Sequence, residues 1–319
     1  MNKLYAVGEA LIDVIPSERD AKLKEVAHFS PQVGGAPTNV ASCTAKLGGN
    51  AAIITQVGDD AFGEKIEEKL TDVGVDTQFL KHTSKANTAL AFVSLTAEGE
   101  RDFAFYRKPS ADMLLNADQL TDLLFDETDI LHFCSVDLVD CPMKETHRVL
   151  IDRMLEAKGT VVFDPNLRFP LWNDLEALHH TVLEFIPKAH IVKISDEELE
   201  FITRIKDKEK AIASLFKGNV EAVIYTEGKA GAALYTKDGL TEQQPGFKVE
   251  VVDTTGAGDA FIGAINYQIL TQGKRKLFEG SQEFLRFANA VGALTTTAYG
   301  AIESLPTIAQ TIKFMRGEK

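Results

Sequence analysis

The chain has 319 residues, 45% hydrophobic and 25% charged, with 47 acidic against 34 basic side chains and a formal net charge of −13. This composition supplies a globular core and excludes a disordered or fibrous chain, and its acidic balance argues against nucleic acid and anionic membranes as partners; no apolar run approaches the ~20 residues of a membrane span. Cys43, Cys134 and Cys141 are too few and too scattered for a disulfide framework or metal site, and Glu9 comes too early for a secretory signal, so a cytoplasmic protein is expected.

In chain order, residues 4–7 form a short apolar run that reads as a buried strand, and Asp13 follows within Gly8-Glu9-Ala10-Leu11-Ile12-Asp13. The junction Val33-Gly34-Gly35-Ala36-Pro37-Thr38-Asn39 places proline where helices begin, and a helix is predicted over 38–47. Asn39, in its first turn, either belongs to an ordinary strand–turn–helix junction or aims its amide at a polyol, since an amide donates and accepts. A strand at 52–57 and a helix at 61–73 follow, then a hairpin over 88–107 around the acidic turn Ala97-Glu98-Gly99-Glu100. Strands at 130–133, 160–163, 191–194 and 222–225 are interleaved with helices at 143–157, 197–203 and 208–216, and two more helices are predicted at 258–270 and 282–297. This alternation predicts an α/β fold with a doubly wound, mostly parallel sheet flanked by helices. The helix-free stretches at about 11–33 and 88–107 cannot join that sheet and predict a small antiparallel β lid. No linker divides the chain, so a single domain over 1–319 is expected.

The chemistry concentrates in Val252-Asp253-Thr254-Thr255-Gly256-Ala257-Gly258-Asp259-Ala260, which runs straight into an apolar helical stretch. A helix start exposes unpaired N–H groups and a partial positive charge, which suits phosphate. Gly256 and Gly258 let that backbone approach an anion closely. Asp259 in the first turn is explained by the helix dipole or, beside an anion cradle, by the need for a general base. An anion cradle and a base together are what phosphoryl transfer to a hydroxyl requires.

The two glycine segments, Gly34-Gly35 through Asn39, Ala41, Leu47 and Gly48, and Asp253 through Phe261, resemble the paired signatures of the ribokinase-like, or PfkB, carbohydrate kinases. The resemblance covers essentially the whole chain. It implies Asp259 as the base that deprotonates a sugar hydroxyl, with the amides of Gly256, Ala257 and Gly258 as the anion hole. It also implies Mg²⁺ organised through water by Glu198, within Lys193-Ile194-Ser195-Asp196-Glu197-Glu198, where Ser195 stands in place of the family's asparagine. The same Ser195 and Glu198 read equally as a helix capping box. ATP is implied along Lys193, Thr226, Gly228 and Gly231, with Asn289 at the adenine; a helix-surface asparagine explains Asn289 equally well. Relatives bind a monovalent cation through a loop that here implies K⁺ near Asp253, Thr255, Thr295, Ala298, Gly300 and Ser304.

Substrate residues follow from the same resemblance. Asp13 and Gly34-Gly35 with Asn39 would hold the sugar. The stretch Phe105-Tyr106-Arg107-Lys108-Pro109-Ser110-Ala111-Asp112-Met113-Leu114-Leu115 resembles fructokinases, with Arg107 reaching onto the sugar and Phe105 or Tyr106 closing over it. Arg168, in Asp164-Pro165-Asn166-Leu167-Arg168, pairs with phosphate or a substrate carboxylate or is a surface residue after a turn. Fructose is the expected substrate, with 2-keto-3-deoxygluconate or another sugar or nucleoside of the family as the alternative, and a homodimer through the lid is implied. The rival from another class is a sugar-binding regulatory protein on the same fold, although a pure binder has no need of a base at Asp259. No P-loop occurs, and no Gly-x-Gly-x-x-Gly follows the first strand.

Overall fold

A computed structural model describes residues 2–18, 22–95 and 101–318. In chain order the elements are β1 (Leu4–Val7), β2 (Leu11–Pro16), β3 (Phe29–Gly34), α1 (Ala36–Lys46), β4 (Ala51–Gly58), α2 (Ala61–Asp72), β5 (Leu80–Thr83), β6 (Ala89–Leu95) and β7 (Arg101–Tyr106). They continue as β8 (Ile130–Phe133), α3 (Pro142–Glu156), β9 (Thr160–Phe163), α4 (Leu175–Phe185), β10 (Ile191–Ser195), α5 (Asp196–Thr203), α6 (Lys208–Ser214) and β11 (Ala222–Thr226). The chain ends with β12 (Ala232–Thr236), β13 (Gly239–Gln244), α7 (Ala257–Gln272), α8 (Lys274–Glu279), α9 (Ser281–Thr295) and α10 (Ile308–Met315). Among the described residues no helix is long and apolar enough to cross a membrane.

Nine strands form one sheet in the order β13-β12-β11-β10-β9-β8-β1-β4-β5, parallel from β11 to β5 and finished by the antiparallel pair β12–β13. Its central strands are buried and mostly apolar because helices cover both faces, with polar exceptions such as His132 in β8 and Lys193 in β10. In β1, Leu4 and Ala6 join one buried layer while Tyr5 and Val7 join the other.

The second sheet has the order β3-β2-β6-β7. The expected small antiparallel sheet is present and antiparallel-rich: β2–β3 and β6–β7 are antiparallel, and the two pairs join through β2 and β6, which run parallel with Asp13 opposite Ala91. The reason is topological. β2 leaves the main sheet after β1 and β6 after β5, and these two exits share one direction. The acidic turn expected at 97–100 lies outside the described residues.

The packing that positions the site is that of α1 on α7. A Cβ built on Gly263 would meet Cys43 Cβ at 2.7 Å, and the Thr44 hydroxyl donates to the Gly263 carbonyl at 3.0 Å. The helices therefore touch backbone to side chain with no room for a methyl group, and their N-termini lie together at the carboxyl ends of the strands. Gly263→Val should overpack this contact and cost about 1–3 kcal/mol, read as a lower urea midpoint with an unchanged m-value; a wild-type midpoint would show that the helices can separate freely.

Candidate active site

Helix α7 opens at Gly256, whose φ of 74° is left-handed and whose missing side chain leaves room for Ala301 at 2.8 Å. Asp259 sits in the first turn and is 7% exposed. Two amides hold its carboxylate: Asn39 Nδ2, from α1, donates to Oδ2 at 2.8 Å, and Asn166 Nδ2, from the turn after β9, donates to Oδ1 at 3.1 Å. Burial pushes the Asp259 carboxyl above its ordinary range, and Asn39, Arg168, Lys193 and Asn166 pull against that rise. The result is a buried carboxylate held at both oxygens.

Lys193, on β10, lies beside the glycine turn, its Nζ 3.5 Å from where a Cβ on Gly258 would stand. It pairs with Asp164 at 3.1 Å. Burial alone would lower the Lys193 ammonium, but Asp164 and Glu198 outweigh it and hold it raised. Burial pushes Asp164 up to about 7 despite that partner. Glu198 accepts from the Ser195 N–H and hydroxyl at 2.9 and 2.8 Å and from the Leu167 N–H at 2.8 Å. The capping box of α5 is thus present, and Glu198 also reaches the turn that carries Asn166.

A cavity of about 370 Å³ lies above these groups, lined among others by Asp13, Gly35, Asn39, Phe105, Arg168, Lys193 and the 254–259 backbone. Asp13 is a strand residue of β2, and Gly34 has no Cβ because one would stand 2.1 Å from the Asp13 carboxylate. Phe105 faces the cavity, while its neighbour Tyr106 is 65% exposed on the opposite face of β7. Arg107 does not line the cavity. Its guanidinium is buried in an ion cluster with Asp112 and Asp137, near Glu9, and Ser110 donates to Asp112. The expected reach of Arg107 onto a sugar is therefore corrected: two carboxylates behind the cavity wall offer a buried guanidinium more than an open cleft does.

Of the residues expected on the nucleotide side, Lys193 lines this cavity, whereas Thr226, Gly228, Gly231 and Asn289 do not. Thr226 ends β11, and its hydroxyl lies 3.5 Å from the Ile194 carbonyl. Gly231, with φ of 110°, is needed where the backbone passes Gln244 O, 2.1 Å from a built Cβ. Asn289 is buried rather than on a helix surface and donates to the carbonyls of Gln244 and Pro245 at 3.1 and 3.2 Å. Asp253 accepts from the Thr255 N–H and hydroxyl and from the Gly300 N–H at 3.2 Å, which brings those three together. Thr295 turns its hydroxyl onto Val291 within α9, whereas Ala298 and Ser304 line a separate depression with Lys46.

Sequence reasoning gave no role to Asn166, Glu9 or Asp137. The signal for Asn166 was its place after Asp-Pro at a strand end, since asparagine tolerates the left-handed conformation that it adopts here.

Residues 1–308 match the pfkB family carbohydrate kinases. The chain is 43% identical over 318 residues to a probable fructokinase-2 of Arabidopsis thaliana, covering 98% of this chain and 95% of that protein. The fructokinase of Xylella fastidiosa with bound ATP superposes with a TM-score of 0.88 at 32% identity, covering 99% of this chain and 98% of that one. A double mutant of the Vibrio cholerae O395 fructokinase, in a form with fructose, ADP and potassium ion bound, also superposes with a TM-score of 0.88, at 34% identity and the same coverage.

Glu9 offers a test of the buried charge beside the cavity. Burial pushes its carboxyl from 4.5 up to about 7, against the pull of Arg107 and the Ala36 N–H. A raised acid binds more protons folded than unfolded, so its contribution to stability declines as pH rises from about 4.5 to about 7. Glu9→Gln removes that titration. Urea unfolding across this window should show the variant gaining on wild type as pH rises; a constant difference would mean that Glu9 titrates normally in the fold.

Proposed function

We propose that this chain, which belongs to the pfkB family of carbohydrate kinases, is a fructokinase that transfers the γ-phosphoryl group of ATP to the 6-hydroxyl of fructose. The observation that carries this reading is Asp259, fixed by two amides at a glycine-rich helix start and facing a cavity closed on its far side by lid residues Asp13 and Phe105. The sugar lies between Asp13, Gly35 and Asn39 on one side and Asp259 on the other. Asp259 takes the proton of the primary hydroxyl, whose oxygen attacks the γ-phosphorus as the bond to the β-phosphate oxygen breaks and ADP leaves. Negative charge on the transferred group falls to the N–H groups of Gly256, Ala257 and Gly258 and to Lys193 and Arg168.

The oxygen donors on the cleft wall fit a hard cation: Glu197 lines the cavity, and buried Glu198 keeps lone pairs beyond those engaged by Ser195 and Leu167. Glu198 would hold Mg²⁺ through water, and Mg²⁺ neutralises charge on the ATP phosphates. Thr226, Gly228, Gly231 and Asn289 frame the nucleotide side, and carbonyls of Thr255, Thr295, Ala298 and Gly300, with Asp253 and Ser304, would serve K⁺. The lid sheet is bounded by β3 and β7, edges that support a homodimer joined lid to lid. Three cysteines without disulfide partners support a cytoplasmic setting.

Fructose is favoured over a keto acid because the carboxylates of Asp13 and Asp259 line the cavity. A neutral ketohexose meets no like charge there. An ADP-release assay with MgATP against fructose, 2-keto-3-deoxygluconate, ribose, adenosine, glucose and tagatose should give fructose the highest kcat/KM. A preference for the keto acid would overturn the substrate assignment, and binding without any turnover would favour a regulatory sugar binder.

Asp259→Asn should cut kcat by about 10²–10⁴ while calorimetry still detects fructose binding; near-normal turnover would remove Asp259 from the base role. Glu198→Gln should raise the Mg²⁺ concentration for half-maximal rate by about 10–100-fold, and an unchanged requirement would confine Glu198 to capping α5.

A further inference from the structure

Asn166 adopts φ of 47°, one of three left-handed non-glycine residues among those described. Such a conformation persists only where the surroundings fix it. Here both neighbours are tied: the Ser135 N–H donates to the Pro165 carbonyl at 2.9 Å, and the Leu167 N–H donates to Glu198 Oε1 at 2.8 Å. The turn aims a buried amide at the catalytic carboxylate.

We infer that Asn166 is a positioning residue for Asp259, its left-handed turn pinned through Leu167 by Glu198 so that its amide, opposite that of Asn39, sets the plane of the base. A carboxylate held by one donor rotates about its Cβ–Cγ bond, whereas one held at both oxygens keeps the same lone pair toward the substrate. The inference rests on Asp259 being the base. It gives Glu198 a second task, linking the cation side of the cleft to the proton-accepting side through one backbone N–H.

The ionised form of Asp259 is faced by Asn39 and Cys43 from α1, by Asn166 and Arg168 from the turn after β9, by Asp164 from the end of that strand and by Lys193 from β10. Asn166 and Asn39 donate to it, Arg168 and Lys193 favour it by charge, and Asp164 disfavours it. Loss of the Asn166 donor leaves the base easier to protonate, so the acid limb of kcat must move to higher pH.

Asn166→Gly keeps the left-handed backbone, which glycine adopts freely, and removes only the amide. Its kcat should fall about 10–100-fold, the effect of losing a hydrogen bond to a charged group, with KM for fructose changed by less than about threefold and the acid limb displaced upward. Asn166→Asp, which places a second carboxylate against the first, should displace the limb further. A wild-type kcat and acid limb in Asn166→Gly overturn the inference. So does a fall in kcat and melting temperature with no displacement of the limb, since that marks a merely structural residue. Asp259→Asn, assayed alongside, separates the two levels: if it keeps turnover, the base assignment fails and this inference with it. If it loses turnover while Asn166→Gly behaves as wild type, this inference alone fails.

Discussion

A carboxylate withdrawn from water keeps its charge only if other groups replace its hydration. At Asp259 that replacement comes from the positive end of α7, two side-chain amides and two nearby cations. Besides α7, these groups come from three parts of the chain: Asn39 from α1, Asn166 and Arg168 from the turn after β9, Lys193 from β10. The close approach at Gly263 and Cys43 fixes how far Asn39 stands from Asp259. The site is therefore a property of packed helices and strand ends, and core substitutions far from the cavity act on it by changing that distance.

Two buried charge clusters support the cavity from below. Asp164, Lys193 and Glu198 lie under the glycine turn, and Arg107, Asp112, Asp137 and Glu9 lie under the sugar side. Buried ion pairs seldom add net stability over an apolar core of the same shape, although breaking one leaves a costly unpaired charge. Their value here is geometric. Arg107 follows the last lid strand, Asp137 follows β8, and Glu9 accepts from the first N–H of α1 at 2.8 Å. The cluster ties the root of the lid to the helix that carries Asn39.

The central strands could be read from sequence because burial on both faces leaves a short, mostly apolar run; β1, β8 and β9 begin and end where that run does. The strands β12 and β13 escaped, β12 because it is a short run opening on two small alanines and β13 because its largely exposed, polar sequence carries no apolar pattern, and the β2–β6 pairing depends on a crossover no local signal encodes. The α7 turn was legible because glycine, glycine and aspartate carry their chemistry within four residues. Arg107 was misplaced for the opposite reason. Its local neighbours are lid aromatics, but one of its partners, Asp137, is 30 residues away. Asn166 offered only a turn signal, and its target lies 93 residues on.

Groups of both charges line the cavity: the side chains of Glu9, Asp13 and Asp259 together with Lys193, Arg168 and the N-terminus of α7. In a chain of net charge −13, these local positive groups are what let a polyphosphate approach at all. On the proposed reading Asp259 takes the sugar proton beside Lys193 and Arg168, the two cations that favour its ionised form.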